Sequence, residues 1–218
     1  MRTWTNPQRL WFYRGLTLLA TAILVHLLVI WATPRLIMNR LMSGPAAQAM
    51  NMRNQAAFPP AVDASARRVV MPSPDLLYSV CVFDVSAGPV RVRANPGLPS
   101  YWSIALYAAN SDNFFVLNDR QAGAAPVDLW LVSEGPNPRD PAVPPGARVV
   151  VSPSTQGFLL MRVLTADYEA EKAVVEPARR TLQCSRAGAG DAGPPAALAA
   201  AGASADRGAA GRADRLCH

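Results

Sequence analysis

Residues 90–107 read VRVRANPGLPSYWSIALY, and this stretch decides the fold. Val90-Arg91-Val92-Arg93 alternates apolar and charged side chains with the period of two that turns one face of a strand inward and the other to water. Asn95-Pro96-Gly97 and Pro99-Ser100 interrupt it with turn formers, and Tyr101-Trp102-Ser103-Ile104-Ala105-Leu106-Tyr107 resumes it with aromatic and β-branched residues. Outward from this pair, short apolar runs recur at 76–85, 114–117, 127–132, 148–151 and 158–165, separated by Gly, Pro, Asn and Asp clusters. Short strands at this spacing predict a mainly β domain, an antiparallel β-sandwich or a jelly-roll-like fold. Only residues 166–183 read as helix, with Ala170, Val174 and Val175 on one face and Pro177 as an interior break or kink.

The N-terminal part has a different pattern. Of the 218 residues, 17% are charged, below the roughly 25% usual for soluble domains. Gly15 to Thr33, GLTLLATAILVHLLVIWAT, carries no formal charge and as a helix spans roughly 28 Å, close to a bilayer core. Arg14 and Arg35 bracket it, and Trp11, Phe12, Tyr13 and Trp31 stand where aromatic belts form. The Ala-x-Ala that follows the run begins only at Ala47, too far away for a signal-peptide cleavage site, so an uncleaved anchor is expected, ended by Pro34. His26, alone near its middle with no second polar partner, reads as a tolerated neutral imidazole.

The expected organisation is a cytoplasmic N-terminus over 1–14, a single transmembrane anchor over 15–34, a spacer over 35–71, a β-rich domain over 72–184 and a disordered Ala/Gly-rich tail over 185–218. In the spacer, Leu36, Ile37, Leu41 and Met42 can form a short amphipathic piece near the membrane surface. Arg2, Arg9 and Arg14 on one side of the anchor balance Arg35, Arg40 and Arg53 on the other. The N-terminal amine tips this toward a cytoplasmic N-terminus and a periplasmic domain at the bacterial inner membrane.

Charge distribution excludes one function class. Residues 1–72 carry eight arginines against Asp63 alone, whereas 73–183 carry nine basic residues against eleven acids. A nucleic-acid binder needs its basic face on the folded domain, so no nucleic acid is expected. Of the three cysteines, Cys81 lies in the first strand and Cys184 just past the helix. In an oxidising compartment they can form a disulfide; alternatively Cys81 is a buried small apolar residue. No cysteine pair has metal-ligand spacing, and no metal or cofactor is implied.

Outside the anchor the only histidine is His218, so Ser-His-Asp and Cys-His mechanisms have no imidazole in the domain. Carboxylates remain at predicted strand ends, Asp75, Asp84 and Asp112 among them, and a pair could do acid/base work on an envelope polymer or small metabolite. Asn110-Ser111-Asp112-Asn113 and Asn118-Asp119 offer oxygen ligands without the order of an EF-hand, and the same residues are ordinary turn formers.

The run Pro72-Ser73-Pro74-Asp75-Leu76-Leu77-Tyr78-Ser79, with Asp84, Gly88-Pro89-Val90, Tyr101, Asn110-x-Asp112-Asn113-Phe114-Phe115 and Arg162-Val163-Leu164, resembles the bacterial domain of unknown function 1254 family, in its short membrane-anchored form. The resemblance covers roughly residues 70–183, with Ser73 and Leu76 departing from the family's usual Asn and Thr. It implies a β-rich domain in the cell envelope, no established activity, and a companion envelope protein carrying the missing second domain. Binding of a partner protein or small ligand is expected through Tyr78, Asp84, Tyr101, Asn110, Asp112, Asn113 and Phe115. The alternative is an enzyme using paired carboxylates.

Overall fold

The computed structural model describes residues 6–63, 65, 72–134 and 143–187. Its elements in chain order are α1 (Asn6–Ser43), α2 (Pro45–Ala49), β1 (Leu76–Asp84), β2 (Val90–Ala94), β3 (Trp102–Ala108), β4 (Asn113–Asn118), α3 (Asp119–Ala122), β5 (Val127–Ser133), β6 (Arg148–Ser152), β7 (Gln156–Leu164), α4 (Tyr168–Arg179) and β8 (Gln183–Arg186). The strands form two four-stranded sheets, β1-β7-β3-β4 and β6-β5-β2-β8. Each inner face contributes the apolar half of its alternation. Leu77, Cys81, Phe83, Ile104, Leu106, Leu159, Met161 and Val163 of the first sheet share one core with Val90, Val92, Leu129, Leu131 and Val150 of the second.

One pairing departs from the antiparallel expectation: β6 runs parallel to β5, with Leu129 opposite Arg148 and Ser133 opposite Ser152. The long connection between these strands allows the chain to return and run in the same direction, which a tight hairpin cannot do. The chain also adds a strand the periodicity did not separate from the helix. α4 stops at Arg179, and Gln183–Arg186 pairs with β2. Cys184 therefore lies on an edge strand of one sheet and Cys81 on an edge strand of the other, and a disulfide joins them across the sandwich.

α4 is amphipathic, but of the three residues expected on its apolar face only Val175 is buried. Val175, Ala178 and Arg179 are buried while Val174 is 60% exposed and Ala170 is exposed. Asp167 caps its first turn by accepting from the Ala170 N–H.

α1 is long and apolar enough to cross a membrane, and every residue from 6 to 31 is exposed. Pro34 does not end it; the helix continues to Ser43. A proline inside a helix costs about 3 kcal/mol by removing the N–H that the Ile30 carbonyl would receive. About one and two turns beyond, Met38 and Met42 become buried against Val80, Val82 and Phe158 on the outer face of the first sheet. Burying two methionines yields about 3–6 kcal/mol, enough to keep the helix going. Arg35 supports the same region by donating to the Trp31 carbonyl at 2.6 Å, as Thr33 does to that of Val29 at 2.7 Å.

The segment expected to be a spacer packs closely on the sandwich over residues 51–57. Ala57 and Val80 exchange backbone hydrogen bonds of 2.8 and 2.9 Å, the Asn54 N–H donates to the Val82 carbonyl, and the Val82 N–H donates to that of Met52. This covers the free edge of β1, which would otherwise present unpaired backbone groups. The N-terminal residues 1–5 and most of the expected tail, 188–218, lie outside the described residues.

Candidate functional site

The strand registers put Asp84 opposite Gln156 and Ala108 opposite Gly157. The end of β1, the β3–β4 turn and the start of β7 therefore meet at one end of the first sheet. Asp84, 5% exposed, is the anchor point of that end. Its Oδ1 accepts from the Ser86 N–H and hydroxyl, at 3.0 and 2.6 Å, and its Oδ2 from Arg53 at 2.7 Å and Gln156 at 3.0 Å. Asn54 completes the joint, accepting from the Asp84 N–H at 2.8 Å. Burial by itself would raise the Asp84 pKa; the hydrogen bonds from Ser86 and Gln156 and the charge of Arg53 outweigh it and hold the carboxyl below the usual carboxylate range. With both oxygens occupied and the group ionised, Asp84 locks the 51–57 segment to the sheet and has no free proton to give.

Beside this joint lies a cleft of about 520 Å³ between α1 and the end of the sheet. Arg35 and Asn39 of α1 face Asn110 and Asp112 of the β3–β4 turn and Ser154 and Gln156 before and at the start of β7. The turn is self-supporting: the Asp112 N–H donates to Asn110 Oδ1, the Asn110 amide donates to Asp112 Oδ2 at 2.5 Å, and Ser111 takes a left-handed φ of 73°. The Ala109 N–H donates to Ser154 Oγ, which in turn donates to the Gln156 carbonyl. A smaller cleft of about 390 Å³ beside α3 and β5 contains none of the seven candidate binding residues.

The structure brings Asp84, Asn110, Asp112 and Asn113 to one end of the sandwich and places the remaining candidates elsewhere. Tyr78 lies opposite Arg162, toward the other end of the sheet, and its hydroxyl accepts from the Ser73 N–H at 3.0 Å. Tyr101 precedes β3 at that same far end, where its carbonyl accepts from Leu164. Phe115 pairs with Leu106 on β4 and packs against the core, with the Arg148 guanidinium 5.4 Å over its ring. Asn118 and Asp119 form a helix start, Asn118 and Gln121 making a capping box. His26 lies on the exposed part of α1.

Residues 51–186, well over half of the chain, match the family described as protein of unknown function (DUF1254). The chain belongs to the DUF1254 family. No curated protein matches it. Among solved structures, the VPA0106 protein from Vibrio parahaemolyticus is similar with a TM-score of 0.56 and 16% identity, over 72% of this chain and 36% of that one. A putative uncharacterized protein from Burkholderia cenocepacia is similar with a TM-score of 0.41 and 18% identity, over 78% of this chain and 44% of that one. The DUF1254 chain described here thus spans little more than a third of the Vibrio protein's length, and the likeness is one of fold.

Tyr78 and Ser79 of the first DUF1254 motif touch a buried arginine that sequence reading missed. Arg179, 2% exposed, donates to the Pro59 and Tyr78 carbonyls, both at 2.8 Å, and to Glu176 Oε1 at 2.7 Å. Glu176 also accepts from Tyr168 and Arg180, and Ser79 Oγ donates to the Arg179 carbonyl at 3.4 Å. Burial would raise the Glu176 pKa, but hydrogen bonding to Arg179 and its charge lead the effects that lower it. The signal was present in the helical period: Arg179 lies four residues after Val175, on the face that a helix buries. A charge at such a position marks an internal network.

Proposed function

We propose that this DUF1254 protein is a single-pass inner-membrane protein that holds its β-sandwich on the periplasmic side as a docking module for a companion envelope protein. The observation that carries the reading is the unbroken passage of α1 from its bare apolar stretch onto the outer face of the first sheet, where Met38 and Met42 are buried. A domain held this way has a set orientation to the membrane, as a docking platform needs. The disulfide between Cys81 and Cys184 suits an oxidising compartment. The companion supplies a second domain; in the Vibrio relative, nearly two thirds of the chain lies beyond the shared region. The carboxylate alternative loses its leading candidate because Asp84 is fully engaged in hydrogen bonds.

An alkaline-phosphatase reporter fused after residue 187 tests the orientation, and crosslinking in intact membranes tests the partner. An active reporter, retention after carbonate washing and a discrete crosslinked species are expected. An inactive reporter, release by carbonate or a chain that runs alone under every crosslinking condition overturns the reading.

A further inference from the structure

We propose that the cleft between α1 and the end of the first sheet binds the phosphoethanolamine headgroup of a membrane phosphatidylethanolamine, the phosphate on Arg35 and the ammonium on Asp112. The inference rests on reading α1 as a membrane span, and three observations carry it.

The first is position. Arg35 stands two residues beyond the uncharged Gly15–Thr33 run, stacked 4.4 Å over the Trp31 ring. A Trp and Arg at the end of a span sit at headgroup depth. The second is unspent charge. Arg35 commits one N–H to the Trp31 carbonyl, leaving four of its five donors. Asp112 lines the same cleft; among the described residues its carboxylate is engaged only by Asn110, and the two charges do not pair with each other. An anion site and a cation site across one cleft fit a zwitterion. The third is the surface leading in. Trp31, Leu28 and Leu24 continue the Arg35 face toward the apolar end of α1, and all are exposed. Acyl chains can lie along that face while the headgroup enters the cleft, which favours a lipid over a soluble phosphoethanolamine compound.

Selectivity follows from the same groups. A primary ammonium donates three hydrogen bonds to Asp112 and Asn110, whereas the quaternary ammonium of phosphatidylcholine donates none. Phosphatidylglycerol offers Arg35 a phosphate but leaves Asp112 beside an uncharged group.

The test uses the full chain in nanodiscs of phosphatidylcholine with equal minor fractions of phosphatidylethanolamine and phosphatidylglycerol, with retained lipids counted by native mass spectrometry. Enrichment of phosphatidylethanolamine over both others is expected, reduced about tenfold by R35A and about tenfold by D112N, each having lost a charge-assisted hydrogen bond. R40A, an exposed arginine of the same helix outside the cleft, should leave retention unchanged. All three positions are exposed, so at most a small change in the melting of the variants is expected, and it is checked alongside. Equal retention by wild type and R35A, or a preference for phosphatidylglycerol, overturns the proposal. So does binding of soluble glycerophosphoethanolamine without lipid enrichment. Carbonate washing separates the two levels: a chain that stays in the membrane but shows no enrichment overturns only the lipid site, whereas release by carbonate overturns the span itself.

Discussion

Arg53 Nη1 lies 2.7 Å from Asp84 Oδ2, joining the segment that follows the apolar helix to the last residue of β1. The pair is unequal: the Arg53 side chain is 52% exposed and that of Asp84 8%. Solvent screens the arginine's share, and its loss costs little by itself, whereas the carboxylate also serves Ser86 and Gln156. Arg53→Ala should therefore cost about 1 kcal/mol, and Asp84→Ala about 2–4 kcal/mol because four donors on three residues lose their acceptor. Denaturant unfolding of the full chain in detergent, followed by tryptophan fluorescence, measures both. Equal costs would show that the remaining hydrogen bonds at Asp84 contribute nothing.

Acid should weaken the fold in a defined window. Asp84 and Glu176 both have folded pKa values below their usual ones. Their contribution is complete above the unfolded carboxylate values of about 4 and declines as pH falls from there through the lower folded values. Stability should be level from pH 7 to about pH 5 and fall below about pH 4, and Asp84→Asn with Glu176→Gln should flatten that fall. Melting curves across this range check it; a double variant as acid-sensitive as the wild type would contradict it.

The disulfide should be visible by thiol counting. Denatured under non-reducing conditions, the chain should take up one maleimide adduct, at Cys217, and three after reduction. Three adducts before reduction would place Cys81 and Cys184 in the thiol form in the cell. Because the bridge separates residues 103 apart, replacing both cysteines with alanine should cost up to about 4–5 kcal/mol in the chain-entropy description.

Gly157 is fixed by contact. A Cβ there would collide with the Phe83 ring and with the Tyr107 carbonyl oxygen on the neighbouring strand, and backbone cannot move aside as a side-chain tip can. Gly157→Ala should cost about 3 kcal/mol or more, read as a lowered melting temperature. Gly15→Ala on the exposed part of α1 meets nothing within 4 Å and should leave melting unchanged.

Arg179 tests the buried network at the other end. Arg179→Ala leaves half-buried Glu176 beside Tyr168 without its main partner, leaves the Pro59 and Tyr78 carbonyls without their donor, and should cost about 3–5 kcal/mol. Arg179→Ala with Glu176→Gln should cost less than the sum of the single changes, a coupling that a double-mutant cycle in denaturant measures.

The sequence alone determined the elements whose periodicity is local: seven strands close to their apolar runs, one apolar helix of membrane-spanning length, one amphipathic helix and the family. Alternation along a strand depends only on which side chains avoid water, so Val90 to Arg93 announces itself without knowledge of its neighbours. What only the tertiary structure decided are the relations between distant segments. Pro34 reads as a stop until Met38 and Met42 find a sheet to cover. Gln183–Arg186 is too short to show a period and becomes a strand by pairing with β2. Tyr78 and Tyr101 share a motif with Asp84 and Asn110 yet stand toward opposite ends of the sheet, because register sets the end at which each residue emerges. Arg35 and Asp112 are 77 positions apart, and no pattern along the chain connects them. They share a cleft because the helix and the hairpin turn pack at the same end of the sandwich, and packing is not a property of either segment by itself.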